Sequence, residues 1–322
     1  MTEVKPISPL WFRNHLIRDA VYKAIYDRMR VDDSIYLIGE GARLKVHYDA
    51  KTIESEFLDR VLTCPISEDG NQEFAVGMSL MNLKVINDVI TGDFLTRAMD
   101  SIVNTAAKVN YFHYKDPKTL VIHAETLVAC ATAGQRLESL FTHVAGLDVV
   151  IPSNPKDAYG LMITALTEPG VVLYFEDRML QDSQLEPLVE PVPSIPFGTA
   201  SVIHSGKKLT IVSYAITLQR TMDVIKQNDY DVDVIDLRTL YPIDWGTIFR
   251  SVANTQKLLI IEPDIGFMGI GAEIAAQISE KIPNLLVRRL GSTRSTISSS
   301  RGLNMNFIPS ESVIKQKIEE VM

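Results

Sequence analysis

Short, almost wholly apolar runs alternate with stretches of helical spacing from residue 12 to the end of the chain, the rhythm of parallel sheets covered by helices. Leu16, Val21, Ala24, Ile25 and Met29 fall near one helical face and predict a helix over 12–30; the run Ser34 to Gly39 predicts a buried strand ending in a Gly-Glu-Gly turn. Further strands are expected at 84–90, 119–124, 149–152 and 171–175, with helices at 94–109 and 154–166. Asn154-Pro155 gives the second of these helices a capping side chain and a first-turn proline. From Gln181 to Phe197 the period disappears and prolines stand at 187, 191, 193 and 196, which reads as an extended linker. Beyond it the rhythm restarts, with strands at 208–213, 232–236, 258–262 and 285–289 and helices at 217–227, 271–282 and 310–322. The expectation is an α/β protein of two domains, 1–180 and 198–322, the second a smaller doubly wound sheet.

Composition narrows the function. The chain of 322 residues has 32 Lys and Arg against 40 Asp and Glu, a net charge of −8, and no basic run that could track a phosphodiester backbone, so nucleic acid is not an expected partner. No uninterrupted apolar stretch approaches the roughly 18 residues of a membrane span, and the segment Met1 to Pro9 has no apolar core of a secretory signal. Cys64 and Cys130 are too few for a disulfide framework or a four-ligand zinc site. A cytoplasmic protein is expected.

Several motifs admit ordinary structural readings. Gly266, Gly269 and Gly271 precede a helix as in a phosphate-cradling turn, but their spacing is not that of dinucleotide-binding loops, and a strand-to-helix turn is the simpler reading; Glu262 and Asp264 stand beside them. The six histidines show no metal-organising spacing, so no metal ligands are assigned to this chain, and Ser298 to Ser300 lie in a polar run with no nucleophile elbow. More informative is Thr63-Cys-Pro-Ile-Ser-Glu68-Asp-Gly70, which sets a carboxylate between a strand and a small-residue helix. Glu68 there is a helix-entry acid favoured by the macrodipole or a catalytic group, and the residues alone leave both open.

In their order and spacing, six runs resemble a known family across essentially the whole chain. They are Pro65-Ile-Ser-Glu68-x-Gly70, Phe74-Ala-Val-Gly-Met78, Asp93-Phe94 through Lys108, His143-x-x-Gly146 through Ser153, and Val234 through Asp244 followed by Gly269 through Ala276. The family is that of the β subunits of the thiamin-diphosphate-dependent, decarboxylating component of 2-oxo acid dehydrogenases, of pyruvate or branched-chain type. The resemblance implies a transketolase-like fold whose first domain, 1–180, holds the pyrimidine ring of thiamin diphosphate, with a transketolase C-terminal-like domain at 198–322. It places Glu68 on the glutamate that hydrogen-bonds the pyrimidine nitrogen and favours the imino tautomer, from which the thiazolium C2 proton is removed. Phe94 falls on the aromatic packed against the pyrimidine and Ile66 on a residue lining its pocket; Arg97, in Phe94-Leu-Thr-Arg-Ala, resembles the Phe-Thr-Arg-Ala run of some transketolases and is a further candidate for cofactor contact and substrate handling. The superfamily's G-D-G motif and asparagine pair, which hold diphosphate and Mg²⁺, are not found in this sequence. The resemblance therefore implies an α-type subunit carrying them, an α2β2 assembly, and a lipoyl acyltransferase as a possible further partner.

The sequence also departs from the family. The histidine of the family's His-Ser-Gln run falls on Ala133, and the preceding glycine-rich loop is replaced by His123 through Cys130. Three readings follow: a divergent enzyme that decarboxylates a 2-oxo acid and recruits His123 or His143 for proton transfer, a transketolase-type transfer of a ketol unit from a sugar, and a non-catalytic assembly or regulatory subunit. For His123, mid-strand in its apolar run, a satisfied core histidine is the competing role.

Overall fold

A computed structural model describes residues 16–40, 50–126, 134–182, 185–297 and 307–322. Two sheets carry the fold. The first has strands β1 (Ile35–Gly39), β2 (Val61–Thr63), β3 (Lys84–Val89), β4 (Thr119–Thr126), β5 (Asp148–Val150) and β6 (Gly170–Asp177). The second has β7 (Ser201–His204), β8 (Thr210–Ser213), β9 (Asp233–Asp236), β11 (Lys257–Ile265) and β12 (Leu286–Ser292), in the order β12-β11-β8-β9-β7. The remaining strand, β10 (Thr239–Tyr241), lies in the second half of the chain but joins the first sheet, whose order is β10-β5-β6-β4-β3-β1-β2. It pairs antiparallel with β5, whereas the six others run parallel. The two halves are thereby joined through backbone hydrogen bonds as well as side chains.

Helices cover both faces of each sheet, as near-continuous apolar parallel strands require. On one face of the first sheet α1 (Ile17–Met29) and α6 (Pro155–Thr167) pack with Leu37, Ile86, Val121 and Tyr174 in one core. On the other, α3 (Glu68–Leu80) packs with Ile38, Val85, Ile122 and Phe175 in a second core, which runs on into the C-terminal half through Ile235, Leu240 and Ile260. In that half α8 (Trp245–Thr255) and α9 (Ile270–Lys281) cover one face, while α7 (Ala215–Asn228) and α10 (Glu311–Val321) enclose a third core with Leu209, Ile211 and Leu259. Short helices α2 (Ala50–Glu56), α4 (Val109–Phe112) and α5 (Glu138–Thr142) complete the described residues.

One expected helix is broken. Residues 94–109 form a 3₁₀ turn over Gly92–Thr96, a π-type turn over Ser101–Thr105 and a second 3₁₀ turn over Ala106–Lys108. Side chains account for the irregularity. The Ser101 hydroxyl donates to Asp69 at 2.6 Å and the Thr105 hydroxyl to Glu73 at 2.8 Å, tying the segment to the flank of α3 instead of letting it wind independently.

Candidate functional site

Glu68 opens α3 and is 6% exposed, its carboxylate near the unpaired amides and positive dipole end of the helix. Its Oε2 receives the Arg97 Nε at 3.2 Å, while among the described residues its Oε1 has no hydrogen-bond partner. Arg97 is brought there by the 3₁₀ turn bearing Phe94, since the Arg97 amide donates to the Phe94 carbonyl at 2.9 Å. Phe94 is half-buried, with its ring packed against the core under α3. Ile66, two residues before Glu68, is 83% exposed, and the Arg97 side chain is 71% exposed. The structure thus gathers Glu68, Phe94 and Arg97 around one helix start, with Ile66 at its approach.

Two further acids belong to this locality. Glu40 follows β1 in the Gly-Glu-Gly turn and accepts the Ser67 amide at 3.1 Å. Burial, with the neighbouring Glu68 carboxylate, pushes the Glu40 carboxyl up, against the pull of the Ser67 amide and Arg97. Asp93, at the start of the Phe94 turn, is 6% exposed and accepts the amides of Gly134 at 2.8 Å and Gln135 at 3.1 Å. Sequence reasoning passed over both. An acid just beyond a strand of a parallel sheet, as in Ile38-Gly39-Glu40, was the available signal.

His123 is placed elsewhere. Side chains alternate along a strand, so His123 and Asp88 face α1, whereas Asn87 faces α3 and donates to Gln72 at 2.8 Å. The sheet therefore separates His123 from the helix that carries Glu68, so the structure does not bring these two expected site residues together. Its Nδ1 lies 3.0 Å from Asp88 and its Nε2 3.5 Å from Glu176; Tyr22 donates to Asp88 at 2.9 Å, and Arg18 pairs with Glu125. Burial pulls the imidazole pKa down, but the two carboxylates outweigh it and raise it to about 10. His123 is a charged member of a buried ion cluster.

His143 is exposed at the end of α5 and lines a cleft of about 1220 Å³ between the two halves, together with Tyr241, Trp245, Asp264, Phe267 and Glu273. Neither Glu68 nor Phe94 lines that cleft, so the structure does not bring His143 and Glu68 into one pocket. Ala133 and Leu127 to Cys130 lie outside the described residues, as do Ser298 to Ser300.

In the wall of the cleft, Arg136 has a fully buried side chain 2.7 Å from Glu138 and 3.0 Å from Asp177. The glycines before α9 resolve as turn chemistry. The Gly271 amide donates to Glu262 at 3.0 Å and the Ile270 amide to Ser139 at 3.1 Å, so the helix start is already occupied by the protein's own acceptors. A Cβ at Gly269 or Gly271 would stand 2.5 or 2.7 Å from a Glu262 oxygen, which is why glycine is needed at both.

The family model for the transketolase pyrimidine-binding domain matches residues 15–182, and that for the transketolase C-terminal domain matches 198–314. The chain is 30% identical to the pyruvate dehydrogenase E1 component subunit beta of Rickettsia felis over 321 residues, covering 95% of this chain and 97% of that one. The chain belongs to the transketolase-like 2-oxo acid dehydrogenase β subunits. It is also 32% identical to the acetoin:2,6-dichlorophenolindophenol oxidoreductase subunit beta of Cupriavidus necator over 284 residues, covering 82% of this chain and 84% of the relative. A solved structure described as a split-gene transketolase in an inactive β4 tetramer shares the fold, with a TM-score of 0.80 at 19% identity over 95% of this chain and 97% of that one. Family membership and the transketolase-like fold agree with the resemblance read from the sequence. Among the described residues of this β subunit, no helix is long and apolar enough to cross a membrane.

Proposed function

We propose that this β subunit supplies the pyrimidine half of a thiamin diphosphate site in a two-chain enzyme that decarboxylates a 2-oxo acid and passes on the acyl fragment. The observation that carries the reading is Glu68: a buried carboxyl at a helix start with one oxygen held by Arg97 and the other without a protein partner among the described residues. A half-buried aromatic, Phe94, and an exposed aliphatic, Ile66, flank it. A flat heteroaromatic ring with polar nitrogens at its edge matches that combination of an apolar platform and a single hydrogen-bonding acid. When bound, the cofactor supplies a carbanion at its thiazolium carbon and an electron sink for the departing carboxylate's electrons. The chain's own residues do the rest on this side: Phe94 and Ile66 orient the ring, Glu68 holds a proton at its edge nitrogen, and Arg97 fixes the Glu68 rotamer.

Two of these groups stand open to solvent in the single chain, Ile66 and Arg97, which supports completion of the site by a second chain. That chain is an α-type subunit holding diphosphate and Mg²⁺, assembled as α2β2 in the cytoplasm, with a lipoyl acyltransferase as the candidate acceptor of the fragment. His143, in the interdomain cleft, is left as a candidate for handling the acceptor instead of the cofactor. Ketol transfer from a sugar uses the same half-site and is the second reading, favoured by Arg97 in its Phe94-Leu-Thr-Arg run. The test is co-expression with the α-type chain found beside it in its own cells. Titration calorimetry should show thiamin diphosphate binding at least ten times tighter to the assembly than to the β chain, and the assembly should release CO₂ from a 2-oxo acid. Equal affinity in both samples would overturn the split site; ketol transfer without CO₂ release would favour the second reading.

A further inference from the structure

Three backbone or side-chain donors converge on one buried carboxylate beside the Glu68 site, and nothing in the preceding function accounts for them. The Gly134 amide donates to Asp93 Oδ2 at 2.8 Å, the Gln135 amide to Oδ1 at 3.1 Å, and the Gln135 side-chain amide reaches Oδ1 at 3.4 Å. Gly134 has φ +129, a conformation side chains rarely adopt, which lets two successive amides turn toward the same acceptor. No other acceptor is found for those two amides among the described residues. The Phe94 turn, by contrast, is held several times over. The Phe94 amide donates to the Thr91 carbonyl at 3.0 Å, the Thr96 hydroxyl to the Asp93 carbonyl at 2.7 Å, and Arg97 pairs with Glu68.

We infer that Asp93 is a positioning residue of this half-site, whose carboxylate fastens the Gly134–Gln135 segment to the turn that carries Phe94 and Arg97. The inference rests on the function proposed above and assigns Asp93 a part in it. Because the turn keeps its own bonds, the clasp governs the 134–135 side of the site, where Gln135 is exposed. The Gln135 carboxamide, on the longest of the three bonds, is the group that this clasp presents toward the substrate; the pyrimidine side depends on Glu68 and Phe94 instead.

Asp93→Asn tests this. A carboxylate offers an acceptor oxygen to each amide, whereas a carboxamide offers one oxygen and turns a donor toward the other amide. Hydrogen exchange on the full β chain should show the backbone amides of 134 and 135 exchanging at least ten times faster in Asp93→Asn than in wild type, with the melting temperature retained within about 3 °C. In the assembled α–β enzyme, kcat/KM for the 2-oxo acid should fall ten- to a hundredfold while half-saturation by thiamin diphosphate changes less than twofold. Phe94→Ala should show the opposite split. Asp93→Glu, which keeps both acceptor oxygens, should recover part of both losses and guards against a variant that is merely unstable. Unchanged exchange at 134 and 135 overturns the clasp whatever the enzyme does. Faster exchange with unaltered kcat/KM reduces it to a structural bond and overturns its positioning role. A wild-type assembly inactive on every 2-oxo acid, with the exchange result intact, locates the failure in the proposed function and not in the clasp.

Discussion

Glu68 has three neighbours that define what it can do: Arg97 on one oxygen, the α3 dipole behind it, and Glu40 within electrostatic reach. Replacing it by Gln preserves shape and helix start while removing the carboxyl group. In the assembled enzyme Glu68→Gln should lower CO₂ release by about 10²- to 10⁴-fold, the range of acid–base contributions, with the melting temperature little changed. Retained turnover would remove Glu68 from the chemistry and return it to the role of a helix-entry acid. His123 teaches the converse lesson. Its apolar strand context suggested either a core residue or a proton carrier, and only the tertiary structure shows the two carboxylates, from β3 and β6, that face its ring and favour its protonated form.

At the scale of elements, the two halves are held by charge as well as by β10. Arg238 makes a two-pronged pair with Asp157 of α6, Nε and one terminal nitrogen each at 2.8 Å. Ser153 meanwhile donates to Asp236 at 3.0 Å and receives the Ala215 amide at 2.9 Å. Asp157 also closes the start of α6, its amide donating to Asn154 at 2.9 Å. Asp157→Ala would leave a guanidinium in the seam without its partner, a loss of about 3–5 kcal/mol for buried pairs. Urea unfolding should show the midpoint shifted down accordingly, whereas the double replacement Asp157→Leu with Arg238→Met should recover much of it. Elements were unevenly legible in the sequence. Strands β1, β3, β4, β6 and β11 stand out as apolar runs, and α6 announces itself through Asn154-Pro155. Helix α8 was missed although Asp244 caps it by accepting the Thr247 amide and Ile248 and Val252 share its buried face. The preceding Tyr241-Pro242 turn masked the start of that pattern.

Across the whole molecule the seam between the two halves, along the wall of the cleft, concentrates carboxyls: Glu138 and Asp177 from one half, Glu262 and Asp264 from the other, with Arg136 and the Tyr214 hydroxyl among them. Burial raises Glu138 and Glu262 to about 7, and Asp264 is pushed up as well; Asp236 near the Asp157 pair also stands at about 7. A carboxyl raised this way keeps its proton in the folded state after the unfolded chain has lost it. Stability therefore falls as pH climbs from about 4.5 toward 7. His123, raised to about 10, contributes fully below about 6.5 and loses its contribution as pH rises through 10. Asp32, lowered to about 2, acts only at more acid pH. The melting temperature should thus decline steadily from pH 5 to pH 9.5. Glu262→Gln should flatten the lower part of that profile and His123→Gln the upper part. A flat wild-type profile would contradict both assignments.

The sequence by itself determined the α/β class and the family, and it singled out the acid at position 68 as a candidate, because apolar periodicity and an ordered set of motifs are local and survive without neighbours. Tertiary structure alone decided which face of the sheet His123 occupies, that β10 crosses into the first sheet, that the 94–109 segment unwinds against α3, and that Asp93 clasps a segment about forty residues away. Each of those depends on a partner distant in the chain. A histidine between leucine-like neighbours reads the same whether or not two carboxylates meet it, and a strand long enough to pair carries no mark of the sheet that it will join.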